Sequence, residues 1–329
     1  MNYPPIRHPA VAGHFYKGSP EALRKQVEAF IEPGAERKKA VGILAPHAGL
    51  MYSGSVAGAV YSRIELPDIF VLIGPNHTGL GPPVSLMASG SWETPLGRVA
   101  VDETLAAAIL ARSPRIREDT LAHLREHSLE VQLPFIQYLK GKKSRHSRLS
   151  GIISPDDMLE KDDSGQAGMT SENDFRIVPI QMLDNRLETC IEVGRAVGEA
   201  IKESSQKTEV RSQKSNDGSG TPNSKLKIQN SQPPLIVASS DMTHYENADA
   251  AREKDMRAIR RILELDPEGL HREIKDCCIT MCGCGPAVVM LVASKLLGAT
   301  KAELVKYANS GEVSGDYEQV VGYAGIVVR

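Results

Sequence analysis

The chain has 329 residues, 41% hydrophobic and 24% charged, the balance of an ordinary globular protein long enough to bury a substantial core. A net charge of -2, from 39 basic and 41 acidic residues, excludes the global excess that advertises nucleic-acid or membrane-surface binding. No apolar run approaches the roughly 20 residues of a membrane span. The first residues carry no apolar signal-peptide core, and the five cysteines, four of them crowded into Cys277–Cys284, suit reduced thiols in a cytoplasm.

In chain order, a helix is predicted over Pro20–Glu32, behind Ser19 as N-cap. AVGILA (Ala40–Ala45) reads as a strand and passes into PHAG, with His47 between Pro46 and Ala48–Gly49. IFVLIG (Ile69–Gly74) reads as a second strand and passes into PNHTG, with His77. A helix over Asp102–Arg112 takes Asp102 as its cap. EHSLEVQLPF (Glu126–Phe135) places Glu126, His127 and Glu130 within about one helical turn, on a segment that Pro134 ends or kinks. FRIVPI (Phe175–Ile180) is a third strand, followed by a helix over Leu187–Glu203. LIVASS (Leu235–Ser240) is a fourth and runs into DMTHYE, with Asp241 and His244. Helices follow over Ala248–Glu264 and, opening near Pro286, over Gly285–Leu297. TMCGCGP places Cys282 and Cys284 just before that last helix, and GYAGIVV (Gly322–Val328) closes the chain as a strand. Two hydrophilic stretches, 141–174 and 204–233, lack the apolar residues needed to offset chain entropy. They read as mobile surface insertions, and inert insertion is favoured over a recognition role for the basic KKSRHSR.

The strands are β-branched and continuously apolar, as strands buried on both faces are. Their alternation with helices predicts an α/β fold: one domain over 1–329, with a mainly parallel central sheet and helices on both faces. Ligands of such sheets bind beyond the carboxyl ends of the strands. His47, His77 and the Asp241–His244 pair are therefore expected to converge. Each histidine alone reads more readily as a hydrogen-bonded turn residue, and the repeated strand–Pro–His–Gly grammar favours a shared site. His127 reads equally as a proton donor or acceptor and as part of a polar helix face, imidazole being the side chain that ordinarily titrates near neutral pH. Cys282 and Cys284 read either as thiolates favoured by a helix N-terminus or as buried structural cysteines.

Together the motifs resemble the Memo family, also described as protein B of the AmmeMemoRadiSam system. The resemblance is carried by AVAGHFY (Ala10–Tyr16), APHAGLMYSG (Ala45–Gly54), GPNHTG (Gly74–Gly79), ETPLG (Glu93–Gly97), EHSLEVQLPF, SSDMTHY (Ser239–Tyr245) and MCGCGP (Met281–Pro286). It implies a fold similar to class III extradiol dioxygenases of the LigB type. It also implies a metal site on His47, His77 and Cys282, with His127, Asp241 and His244 in catalytic roles. His14, Phe15, Tyr52 and Cys284 are then expected to line the pocket. Phe15 stands where animal members often carry Trp. The family's association further implies AMMECR1-like and radical-SAM proteins as partners.

Two readings follow. In the first, the protein is a redox enzyme with iron(II) on His47, His77 and Cys282, copper or zinc being the alternatives. The thiolate departs from the two-histidine, one-carboxylate set of non-haem iron oxygenases, which Asp241 would restore by replacing it. In the second, it is a binding protein for a metal, a peptide or a partner, on an inherited pocket. Metal-assisted hydrolysis ranks below both.

Overall fold

The five apolar runs become the heart of one mixed sheet. A computed structural model describes residues 5–149, 172–214 and 232–329. In chain order its elements are β1 (Ile6–Arg7), α1 (Pro20–Glu28), β2 (Gly42–Ala45), α2 (Leu50–Ser62), β3 (Ile69–Pro75), β4 (Val84–Leu86), β5 (Ser91–Thr94), β6 (Gly97–Val101), α3 (Glu103–Leu110), β7 (Arg117–Glu118), α4 (Leu133–Leu149), β8 (Glu172–Met182), α5 (Leu187–Lys214), β9 (Leu235–Ser239), β10 (His244–Glu246), α6 (Ala248–Leu263), α7 (Pro267–Asp276), α8 (Cys284–Leu296), β11 (Ala302–Asn309), α9 (Gly311–Ser314) and β12 (Val320–Val328).

The sheet runs β1-β5-β6-β8-β3-β9-β2-β12-β10, with β11 also on β12 and β4 on β8. The stretch β6-β8-β3-β9-β2 is parallel throughout. β12 is antiparallel to β2, so the closing strand of the chain departs from the parallel set. Registers such as Ala45 opposite Ser239 and Ile73 opposite Ala238 bring the carboxyl ends of β2, β9 and β3 to one edge. Ile43, Leu44, Val71, Leu72, Ile73 and Val237 are fully buried. Each such side chain gains about 1.5–3 kcal/mol over exposure, before chain entropy is counted. On one side α8 lies against β2, β3 and β9 and packs on α5. α2 packs with α4 and lies against β2 and β12.

The caps follow the sequence. Ser19 accepts from the Ala22 amide and Asp102 from the Leu105 amide, each satisfying an amide that the helix itself leaves unpaired. One expectation changes: Pro134 opens α4 instead of ending a helix. At a first turn its missing N–H costs nothing, so Glu126 and His127 sit on irregular chain before the helix. α2 was not legible, because Gly54 and Gly58 argue against a helix. Both are needed: a Cβ at Gly58 would lie 2.2 Å from the Phe30 carbonyl oxygen, and one at Gly54 2.4 Å from the Phe30 ring. Of the expected insertions, 141–149 is the end of α4 and 204–214 the end of α5. Residues 150–171 and 215–231 lie outside the described residues.

Candidate metal centre

Three strand ends and two neighbouring segments build the site. His47 follows β2, His77 follows β3, and Asp241 follows β9. Cys282 arrives on the turn before α8, and His127 on the irregular chain before α4. One ligand atom from each of His47, His77 and Cys282 lies within 4.8 Å of the others. The His77, Glu126 and His127 side chains form a second such group. Ring centroids of His47 and His77 are 5.3 Å apart, of His47 and His127 5.4 Å, and of His77 and His127 4.9 Å.

Close backbone approach makes this convergence feasible. The Gly283 amide donates to Ser240 Oγ at 2.9 Å, and a Cβ on Gly283 would lie 2.4 Å from the Ser240 Cβ. Only glycine lets the cysteine turn dock on the end of β9. Asp241 Oδ1 accepts from the His47 amide at 2.8 Å and the Ala48 amide at 3.2 Å, tying the β9 loop to the β2 loop. Its Oδ2 lies 3.9 Å from His47 Nε2. The buried Asp255 accepts from the Thr243 amide at 2.9 Å and the Tyr307 hydroxyl at 2.8 Å, which holds the same loop from behind.

The hydrogen bonds set the tautomers. Ser239 Oγ donates its one proton to the Ser128 carbonyl at 2.6 Å. It must therefore accept from His47 Nδ1, 3.0 Å away. Glu126 Oε1 lies 3.0 Å from His77 Nδ1 and 3.1 Å from His127 Nδ1, and also accepts from the His127 and Ser128 amides. Its second oxygen accepts from the His77 amide. Burial alone would raise the Glu126 pKa, but hydrogen bonds from His127 and His77 outweigh it and hold the carboxyl well below its usual range. An ionised carboxylate only accepts, so both imidazoles carry their proton on Nδ1. In the neutral form of each ring, Nε2 is therefore the nitrogen with the bare lone pair, the form a metal takes. Carboxylate–histidine pairs of this kind orient the ligands of metal sites.

Burial favours the neutral form of His47 where a cation must enter. It lowers the His47 pKa to about 4, the charge of Asp241 only partly opposing it. For His77, burial acts in the same sense, but the hydrogen bond and charge of Glu126 win and the net shift is upward. Cys282 is a thiol, its pKa pushed up by burial and then by the charge of Asp241. Its Sγ lies 3.4 Å from His47 Nε2 and 3.6 Å from the Asp241 carbonyl oxygen. A cation binding there would displace the thiol proton. Two imidazoles and a sulfur are a donor set for a transition metal rather than for calcium or magnesium, so the residues fit iron, copper or zinc.

The other expected residues divide. Phe15 packs its ring 4.7 Å from that of His127 and forms one wall. Tyr52 is half-buried in a small cluster with Val56, Ala308 and Tyr323. His14 is exposed. His244 turns to Thr280, its Nδ1 2.9 Å from that carbonyl oxygen, and has no contact with the three rings among the interactions described. Cys284 is the first residue of α8, buried, with its pKa raised to about 12 by that burial; it is outside the three-residue ligand group. The sequence reading missed Ser239 and the role of Glu126. An acidic residue directly before a site histidine, and a serine ending a strand beside one, were the available signals.

This geometry defines a single-domain α/β protein whose strand ends gather a group of side chains able to hold a metal ion. A family model described as Memo-like protein matches residues 7–217 and 220–327. A MEMO1 family protein of Aquifex aeolicus is 40% identical over 98% of both chains. One from Methanothermobacter thermautotrophicus is 39% identical over 97% of this chain and 99% of its own, and one from Methanopyrus kandleri 37% identical over 98% and 99%. The chain belongs to the Memo-like family.

Proposed function

We propose that this protein binds one redox-active metal ion, iron or copper, through His47, His77 and Cys282, and performs redox chemistry on a small organic substrate beside it. The observation that carries the reading is the shared orientation: Ser239 and Glu126 engage Nδ1 of His47, His77 and His127, so Nε2 is the ligand atom each neutral ring offers, and one ligand atom from each of His47, His77 and Cys282 lies within 4.8 Å of the others. The bound ion would supply Lewis acidity and one-electron exchange. His127, oriented by Glu126, is the imidazole that holds or moves a proton at its Nε2, and Phe15 beside it limits water. Asp241 positions the His47 loop through the two amides and stands as the alternative carboxylate ligand. Iron(II) is the metal that the family's resemblance to extradiol dioxygenases calls for, whereas the thiolate suits copper(I). Among the described residues no helix is long and apolar enough to cross a membrane, and the five free cysteines suit the reducing cytoplasm. AMMECR1-like and radical-SAM partners belong to this reading through the family association alone.

Purified anaerobically, the protein is expected to carry about one iron or copper per chain, the stoichiometry of a single three-ligand site. Metal analysis of a folded His47→Ala/His77→Ala variant should find none, and full metal content in that variant would end the assignment. A catechol panel with Fe(II) and oxygen tests turnover. Ring-opened product supports the enzyme. No turnover across the panel with metal bound moves the function to metal or partner binding.

A further inference from the structure

A second cavity, of about 660 Å³, lies at the opposite edge of the sheet. It is framed by the residues entering β2 and β9 and by the residue leaving antiparallel β12: Val41, Pro234 and Arg329. Since β2 and β9 carry His47 and Asp241 at their far ends, the cavity is separated from the candidate metal centre by the full length of those strands.

Its walls are apolar, with Val41, Pro234 and Leu297 among them, and its polar character is one-sided. Lys39, Lys202 and Arg329 line it, and no carboxylate side chain does so among the described residues. Arg329 spends one arm on Glu303, at 3.0 Å. Its Nε is buried away from solvent, so what it brings to the cavity is the charge of its guanidinium. Lys39 and Lys202 are exposed and enter no ion pair among the described residues. A cavity of this size falls in the usual range for small-molecule sites, which are mostly apolar with a few convergent polar groups.

We infer that this cavity binds an amphipathic carboxylate, the apolar body lying along Val41, Pro234 and Leu297 and the carboxylate meeting Lys39, Lys202 and the charge of the Arg329 guanidinium. Charge complementarity selects the class. A cationic amphiphile would meet three like charges, and a small hydrophilic anion would leave the apolar walls wet.

The test is calorimetric titration of the full chain with dodecanoate below its micelle-forming concentration, beside dodecyltrimethylammonium and acetate. Dodecanoate is expected to saturate at one site per chain, with no measurable binding of the other two. Both lysines are exposed, so Lys39→Glu/Lys202→Glu should fold normally and weaken dodecanoate about tenfold, the combined scale of two exposed charge contacts reversed. The His47→Ala variant should bind it unchanged. Equal binding of the cationic probe, no saturable binding of dodecanoate, unchanged affinity in the lysine variant, or loss of affinity in His47→Ala would each overturn the proposal. None of these readouts depends on whether the other edge holds a metal.

Discussion

Glu126 and Glu130 stand four residues apart in one motif, and both are fully buried, yet they are neutralised in opposite ways. Glu130 meets the Arg7 guanidinium, the Tyr16 hydroxyl and the Ala10 and Val11 amides. Arginine is always charged, so that cluster is permanent. It pins the residues after β1 onto the start of α4. Glu126 instead meets two imidazoles, whose charge and ligation can change. Arg7 touches both regions, donating to the carbonyls of His123 and Glu126 as well as to Glu130. A permanent ion pair thus fixes the backbone on which a changeable one is mounted. Stability and site chemistry should be separable at this distance.

The sharpest break of the comparison is Glu130→Ala. It leaves Arg7, 1% exposed, as an uncompensated buried charge. Removing one partner of a buried pair costs about 3–5 kcal/mol. Urea denaturation of the variant should show that loss, and a change below about 1 kcal/mol, the worth of an exposed pair, would contradict the structural role assigned to Glu130.

Acid comes next. His123 is fully buried beside Trp92, and burial followed by the charge of Arg7 lowers its pKa to about 3 against weaker opposing contributions from Glu126 and the Ser85 backbone. Below pH ~6.5 the unfolded chain takes a proton that the folded one refuses, so stability falls as pH falls toward the folded value. His47, lowered to about 4, acts in the same sense in metal-free protein. His77, raised, acts oppositely: its contribution is present in acid and lost as pH rises through its folded pKa. Between pH 7 and pH 5 the His123 share is about 2 kcal/mol. His123→Leu should shrink the drop in denaturation free energy over that interval by that amount. Equal drops in wild type and variant would remove His123 from the account.

The strand cores and the strand-end histidines were legible because β-branched runs and Pro–His–Gly turns leave local marks. Ala40–Ala45 and Leu235–Ser240 were located to within about two residues, the ordinary uncertainty of element ends. The antiparallel pairing of β12 was not legible, since a doubly buried strand reads the same in either direction. Nor was α2, whose glycines look like breakers until Phe30 is seen against them. In the site, the convergence of His47 and His77 follows from the parallel order of the strands. The tautomers do not, because Ser239 and Glu126 act across 192 and 49 residues of chain. His244 shares a motif with Asp241, yet the strand β10 turns it to Thr280.

Glu126→Gln tests the changeable side. The amide keeps the shape, but it cannot accept from both Nδ1 protons and three backbone amides as the carboxylate does. On the proposed centre, metal affinity should fall about 10–100-fold, the usual cost of losing such a partner. Competition with a chelator measures it. Unchanged affinity would mean that Glu126 only supports the backbone.

The smallest effect sharpens the permanent side. Tyr16 donates to Glu130, and its own pKa is pushed up by burial and then by that carboxylate's charge. Tyr16→Phe keeps the buried ring and removes one donor. Glu130 still has Arg7 and two amides, so no charge is stranded. The cost should be about 1.5 kcal/mol, the low end for a hydrogen bond to a charged group. Metal affinity should not move, because the hydroxyl touches Glu130 and not Glu126. A fall in metal affinity with little loss of stability would reverse the assignment: the segment from Ala10 to Tyr16 would then belong to the site, through Phe15 against His127, rather than to the scaffold.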